Sequence, residues 1–161
     1  MRERIKNFFT RKRKGSSVYV ESAFVTFFMA AFLTGCVYSY TLWITKYTVK
    51  ETVDFAMTTA MKKMETISSS EYDTVLQDTE DTLLDFGIEV DDITWSSSAP
   101  SGTEPNYSDQ ITIEFKGSYD FANDTKAKPI ANSLKSLSDL FGNETLFKMN
   151  LEKKVEGTKK C

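Results

Sequence analysis

The stretch Ser22–Thr45 (SAFVTFFMAAFLTGCVYSYTLWIT) runs for 24 residues without a charge, and it constrains the chain more than any other feature. A helix of that length extends about 36 Å, enough to cross the roughly 30 Å of hydrocarbon in a bilayer. The segment carries four Thr, two Ser and two Tyr but no Pro. Tyr38, Tyr40, Trp43 and Tyr47 gather at its far end, where aromatic rings favour the headgroup boundary. The alternative is a buried helix of a soluble protein. That requires a shell of similar apolar length over every face, and no other stretch of the chain is hydrophobic enough. A membrane is therefore the expected surrounding of about residues 20–45.

Charge gives the expected orientation. Residues 1–14 (MRERIKNFFTRKRK) hold seven Lys or Arg and one acid, for +6, and the remaining 147 residues hold 13 basic and 22 acidic side chains, for −9. Beyond the span, Lys46 and Lys50 are offset by Glu51 and Asp54. The positive-inside bias then keeps the N-terminus cytoplasmic and exports the rest of a single-pass chain. The basic head reads as a topology signal and not as a nucleic-acid patch, because the span follows it directly.

The expected organisation has three parts: a basic cytoplasmic leader at 1–15, a long helix at 16–67, and an extracytoplasmic α+β head at 68–161. Past the span, Val49, Val53, Ala56, Met57, Ala60, Met64 and Ile67 recur at helical spacing, so the helix turns from uniformly apolar to amphipathic. Ser68-Ser69-Ser70 marks a break, with Ser70 as cap and Asp73 three residues on. A second helix to Phe86 presents Tyr72, Val75, Leu76, Leu83 and Phe86 for burial, and Gly87 closes it.

The period then changes from 3.6 to 2. Ile88, Val90, Ile93 and Trp95 outline a first strand with one irregular step at Asp91-Asp92. Residues 96–108 read as a Ser-, Pro- and Gly-rich loop. Ile111, Ile113 and Phe115, with Tyr119 and Phe121 in the same parity, outline a second strand. Pro129 opens a short helix bearing Ile130, Leu134, Leu137 and Leu140, ended by Gly142. Phe147, Met149, Leu151 and Val155 alternate in a last strand. The expected fold class is α+β: a long N-terminal helix and a small antiparallel-sheet head.

Much catalytic vocabulary is missing. The chain has no His, which removes the commonest general base and zinc ligand. Cys36 and Cys161 cannot build a disulfide framework or a four-thiolate site. The acidic stretch from Asp78 to Asp92 lacks the spacing of a calcium loop and reads as a solvated face. Three glycosylation-type triplets begin at Asn106, Asn123 and Asn143, at a frequency chance explains in so Asn-, Ser- and Thr-rich a chain. No enzyme, cofactor or metal is expected.

The junction Lys12–Glu21 (KRKGSSVYVE) combines a basic run, one glycine, two small residues and a carboxylate at the start of the apolar helix. A charge near hydrocarbon costs about 2.5–3.5 kcal/mol even on lenient insertion scales, so Glu21 is expected to be paired, interfacial or useful. The segment resembles the class III signal of type IV pilin-like proteins, in particular the TadE-like pseudopilins of Tad (Flp) pilus systems. The resemblance covers about residues 10–65. It implies a pilin-like shape and cleavage by a membrane prepilin-type peptidase at Gly15 and Ser16. It further implies charge pairing in assembly through Glu21, with other pilin-like subunits and an inner-membrane assembly platform as partners. Glu21 stands sixth counted from Ser16, where the family has its glutamate fifth. Either the cut falls after Ser16, or the spacing is relaxed, or the chain is never processed. The early helix proline of the family is absent here.

Small residues also recur at intervals of four, as Ser22, Thr26, Ala30 and Thr34 and as Ala31, Gly35 and Ser39. Such spacing allows close helix approach in a bilayer, and Ala31, Gly35 and Ser39 are the packing candidates. Leu33-Thr34-Gly35-Cys36 resembles a bacterial lipobox, which would lipidate Cys36. The apolar run continuing from Val37 to Ile44 and the position of Glu21 stand against that. The expected function is a minor pilin-like structural subunit for Tad-type pilus assembly or secretion. The alternative is a single-pass or lipid-anchored extracytoplasmic binding domain that never enters a filament.

Overall fold

The computed structural model describes residues 2–100, 103–123, 128–141 and 147–160. The fold is α+β. A long helix α1 (Arg2–Met64) is followed by a 3-10 turn at Ser69–Glu71, helix α2 (Tyr72–Asp85), strands β1 (Ile88–Ser97) and β2 (Gln110–Asp120), helix α3 (Lys128–Phe141) and strand β3 (Lys148–Thr158). Contacts divide the chain into two units, one ending at Trp43 and the other beginning at Ile44. The head thus recruits the last turns of α1, from Ile44 onward, where the sequence placed its start at 68. Helix α1 also begins at Arg2, ahead of the expected 16, because nothing in the basic leader breaks a helix: it holds no Pro, and its only Gly is Gly15.

In the head the three strands lie in the order β1-β2-β3, antiparallel throughout. Period-2 alternation sends Ile111, Ile113, Phe115 and Tyr119 of β2 to one buried face. Register places Tyr119 opposite Ile88 and Met149, and Ile113 opposite Trp95 and Val155, so all three strands share that apolar face. The irregular step expected at Asp91-Asp92 is a bulge between Val90 and Asp92. It inserts one residue, which restores Ile93 and Trp95 to the face already occupied by Ile88 and Val90. Without it the second half of β1 would present its apolar side chains to water.

Helix α1 covers this face. Val49, Val53, Ala56, Met57, Ala60 and Met64 are buried as their spacing predicts, together with Met61. Ile67 is half-buried against the same cluster. At Gly157 on β3, opposite Ile111, an added Cβ would fall 2.5 Å from Met61 Sδ, so the bare glycine leaves room for the end of the Met61 side chain. Helix α2 contributes Tyr72, Val75, Leu76 and Leu83. Gly87 ends it in the left-handed region at φ +80°, the expected stop.

Several expectations are corrected. Ser70 does not cap α2: its hydroxyl bonds to Ser68 Oγ, and Glu71 occupies the cap position without a side-chain cap bond. A 3-10 turn intervenes and shifts the helix start, and Asp73 accepts from Trp95 Nε1 at 3.3 Å instead. Phe86 is 45% exposed because the helix ends one residue earlier and leaves it in the cap. On α3, Ala131 and Leu134 are buried but Leu140 is 76% exposed. Six residues beyond Leu134, it sits about 120° around the helix. The side chains of Ile130 and Leu137, and residues Gly142, Asn143 and Cys161, lie outside the described part.

Candidate functional site: the apolar stretch of α1

Every residue singled out for function lies on α1, so the site is built from one helix. Within Val18–Met64 it is long and apolar enough to cross a membrane, and none of its most apolar window is buried in the protein. Phe24, Val25, Phe27, Phe28 and Phe32 are all largely exposed. A cluster of that size facing water is costly, at about 25 cal/mol per Å² of apolar surface, so this surface calls for an apolar surrounding.

The polar side chains in the stretch are compatible with one. Thr26 Oγ1 donates to Ser22 O at 2.9 Å, Thr34 to Ala30 O at 2.8 Å and Thr41 to Val37 O at 2.9 Å. Each hydroxyl is satisfied by the carbonyl one turn back, which removes most of the cost of carrying it into hydrocarbon. At the far end Tyr40 and Trp43 stack with centroids 6.5 Å apart. Phe27 and Phe28 meet edge to face at 6.0 Å.

Ala31, Gly35 and Ser39 are exposed one turn apart along the helix. A Cβ built on Gly35 meets nothing within 4 Å. The flat strip they form is therefore open to a neighbour. Cys36 is a free, exposed thiol inside continuous helix. Glu21 is exposed at the start of the apolar run. The backbone at Gly15 and Ser16 is helical, one to two turns before Glu21. Gly15, Ser16 and Glu21 thus lie on neighbouring turns, whereas Ala31, Gly35 and Ser39 begin ten residues further along.

Sequence reasoning missed a tie between the two ends of the head. The Lys159 side chain is buried, donates to Ile67 O and lies 5.4 Å above the Tyr72 ring, which itself meets Trp95 edge to face at 4.9 Å. Lys160 pairs with Glu65, whose carboxylate also accepts from the Thr158 amide at 3.3 Å. The hydrogen bond from Lys160 holds the Glu65 carboxyl below its usual value, in spite of burial acting the other way. Burial raises the Tyr72 phenol, with the Glu104 charge adding to it, and its hydroxyl has no hydrogen-bond partner among the described residues. Lysines at a strand end read as solvated, so no sequence signal marks them.

Among the described residues no group of three or more Cys, Asp or Glu is arranged to hold a metal ion. Comparison with protein-family descriptions, curated proteins and solved structures finds no match to this chain.

Proposed function

We propose that this chain is a TadE-like pseudopilin, a minor structural subunit for assembly of a Tad-type pilus or the related secretion machine. The observation that carries the reading is α1 itself. One uninterrupted helix bears an apolar stretch exposed on all sides and, further on, a face that closes the core of an α+β head. A subunit that is held in a membrane and then transferred to a helical assembly needs both properties on one element. The basic leader keeps the N-terminus cytoplasmic and the head lies outside.

In this reading a prepilin-type peptidase removes the leader at Gly15 or Ser16. Peptidases act on extended backbone, so the helix opens locally there, and glycine lowers that cost by about 1 kcal/mol relative to alanine. The new amine then needs a counter-charge before it meets hydrocarbon. A cut after Ser16 leaves the amine four residues before Glu21, on the same helix face and one turn away. A cut after Gly15 leaves it five residues away, better placed for the glutamate of an adjacent subunit. The strip of Ala31, Gly35 and Ser39 supplies close packing between helices.

Co-expression with a prepilin-type peptidase tests the proposal. The expected product starts at Ser16 or Ser17, and Gly15→Leu blocks its formation. If the chain stays full length while an established prepilin in the same cells is cut, the reading fails and a permanently anchored head remains.

A further inference from the structure

The two edges of the head's sheet are treated differently. Strand β1 is interrupted by its bulge and tied to α2 through Trp95 and Asp73. Bulges of this kind prevent a further strand from adding to an edge. Strand β3 carries no bulge, and its tie to a helix is the ion pair of Lys153 with Asp54 of α1. It runs from Lys148 to Thr158 in unbroken register with β2, and no strand lies beyond it in the described sheet.

Which backbone groups face outward follows from the ladder. Phe121 N donates to Phe147 O, and Lys159 N to Asp109 O. Odd-numbered residues of β3 therefore bond to β2, and even-numbered ones direct N–H and C=O away from the sheet. At one end this edge is closed, because Glu65 receives the amides of Thr158 and Lys160. From Asn150 to Glu156 no backbone group among the described residues pairs with it. Beside it lies a groove of about 280 Å³ between α1 and β3, lined by Lys50, Val53, Asp54, Asn150, Leu151 and Glu152.

We infer that this edge pairs with the β3 edge of a second copy, antiparallel, about a two-fold axis at Lys153. Charge complementarity selects the occupant and its direction. In that register Glu152 faces Lys154 of the other copy twice on the solvent side, and Leu151 faces Val155 twice on the apolar side. A parallel, in-register arrangement would oppose Lys154 to Lys154 and Glu152 to Glu152, which is unfavourable. The two Lys153 side chains meet at the axis, each already bound to its own Asp54 at 2.7 Å, so the centre is a neutral cluster of four charges. The pairing joins two three-stranded sheets into one of six strands. It is independent of the pilus reading, since it uses only the head.

The test uses the full chain in detergent micelles, with Cys36→Ser and Cys161→Ser to remove the native thiols. Lys153→Cys stands opposite itself at a non-hydrogen-bonded position, where Cα atoms approach within disulfide range. Oxidation is expected to give a disulfide-linked dimer. Adding Lys154→Glu, which sets two pairs of like charge face to face, lowers the yield roughly tenfold. Adding Glu152→Lys as well restores it. In the chain that keeps Lys153, native mass measurement is expected to find a dimer that Glu152→Pro reduces to monomer. That proline removes only an outward N–H and leaves the β2 ladder intact, and circular dichroism checks that the head stays folded. Absence of the Lys153→Cys dimer, or a yield indifferent to Lys154→Glu, overturns the inference. So does dimerisation that cross-links through Gly35→Cys alone.

Discussion

Val25, Phe28 and Met29 are exposed, whereas Val49, Val53 and Met57, the same kinds of side chain on the same helix, are buried. Phe28 is 65% exposed and Met57 0%. The difference lies in pattern and not in residue type. Up to Thr45 the apolar residues occupy every face, so no single sheet could cover them. From Val49 onward they recur at three and four, with Lys50, Glu51, Asp54 and Lys62 between them, and one face is enough. A uniform pattern calls for a surrounding; a periodic one calls for a partner surface.

That contrast can be broken by substitution. The largest effect is expected in the head core, where Phe115→Ala should cost about 3–5 kcal/mol of stability in denaturant unfolding. Phe55, 74% exposed on α1, should cost less than about 0.5 kcal/mol as Phe55→Ala. Equal effects would mean that the division between buried and exposed faces is wrong. Next comes Phe28→Arg. In a soluble setting an exposed Phe is replaced by Arg at little cost, but at the centre of a membrane span the change is worth about 3 kcal/mol. The expected outcome is reduced membrane integration in an alkaline-extraction assay, with the head fold unchanged.

Two glycines sharpen the same comparison. Gly117→Ala drives a methyl group into the Glu89 carbonyl and the Phe115 ring and should destabilise the head by about 1–3 kcal/mol. Gly35→Ala meets nothing within 4 Å among the described residues, so it should leave thermal unfolding of the head unchanged while weakening helix association in the bilayer.

How far the sequence revealed all this can be argued from a few residues. The buried face of α1 was legible because Val49, Val53, Ala56, Met57, Ala60 and Met64 hold a strict helical period, and the β1 bulge was legible as a break in parity at Asp91-Asp92. Met61 was not, since it widens the stripe by one position that spacing alone leaves open. The cap at Ser70 failed because three consecutive serines offer three equivalent starts, and only packing chooses among them. The burial of Lys159 left no trace, because it depends on where a strand end meets Ile67, in the link that follows α1 92 residues earlier. For the site, sequence placed Ser16 and Glu21 on the helix and Gly15 in the leader before it; the helix runs back through all three, because a lone Gly with no Pro does not break it.

The smallest expected effect concerns pH. Folded Glu65 titrates below its usual 4.5, chiefly through Lys160, so the unfolded chain binds more protons there in mild acid. Its contribution is fully present above the unfolded value and is lost as pH falls through the lowered one. Stability curves should therefore show a fall below about pH 4.5 that is shallower in Glu65→Gln. Identical curves would mean that the tie between Glu65, Thr158 and Lys160 contributes nothing.

The central claim is that this helix is processed as a pilin and kept in the membrane. Intact mass combined with N-terminal sequencing of the protein from its native membrane tests it most directly. The account predicts a chain that begins at Ser16 or Ser17 and retains the whole apolar stretch. An N-terminus at Met1, or a lipid-modified start at Cys36, would contradict it.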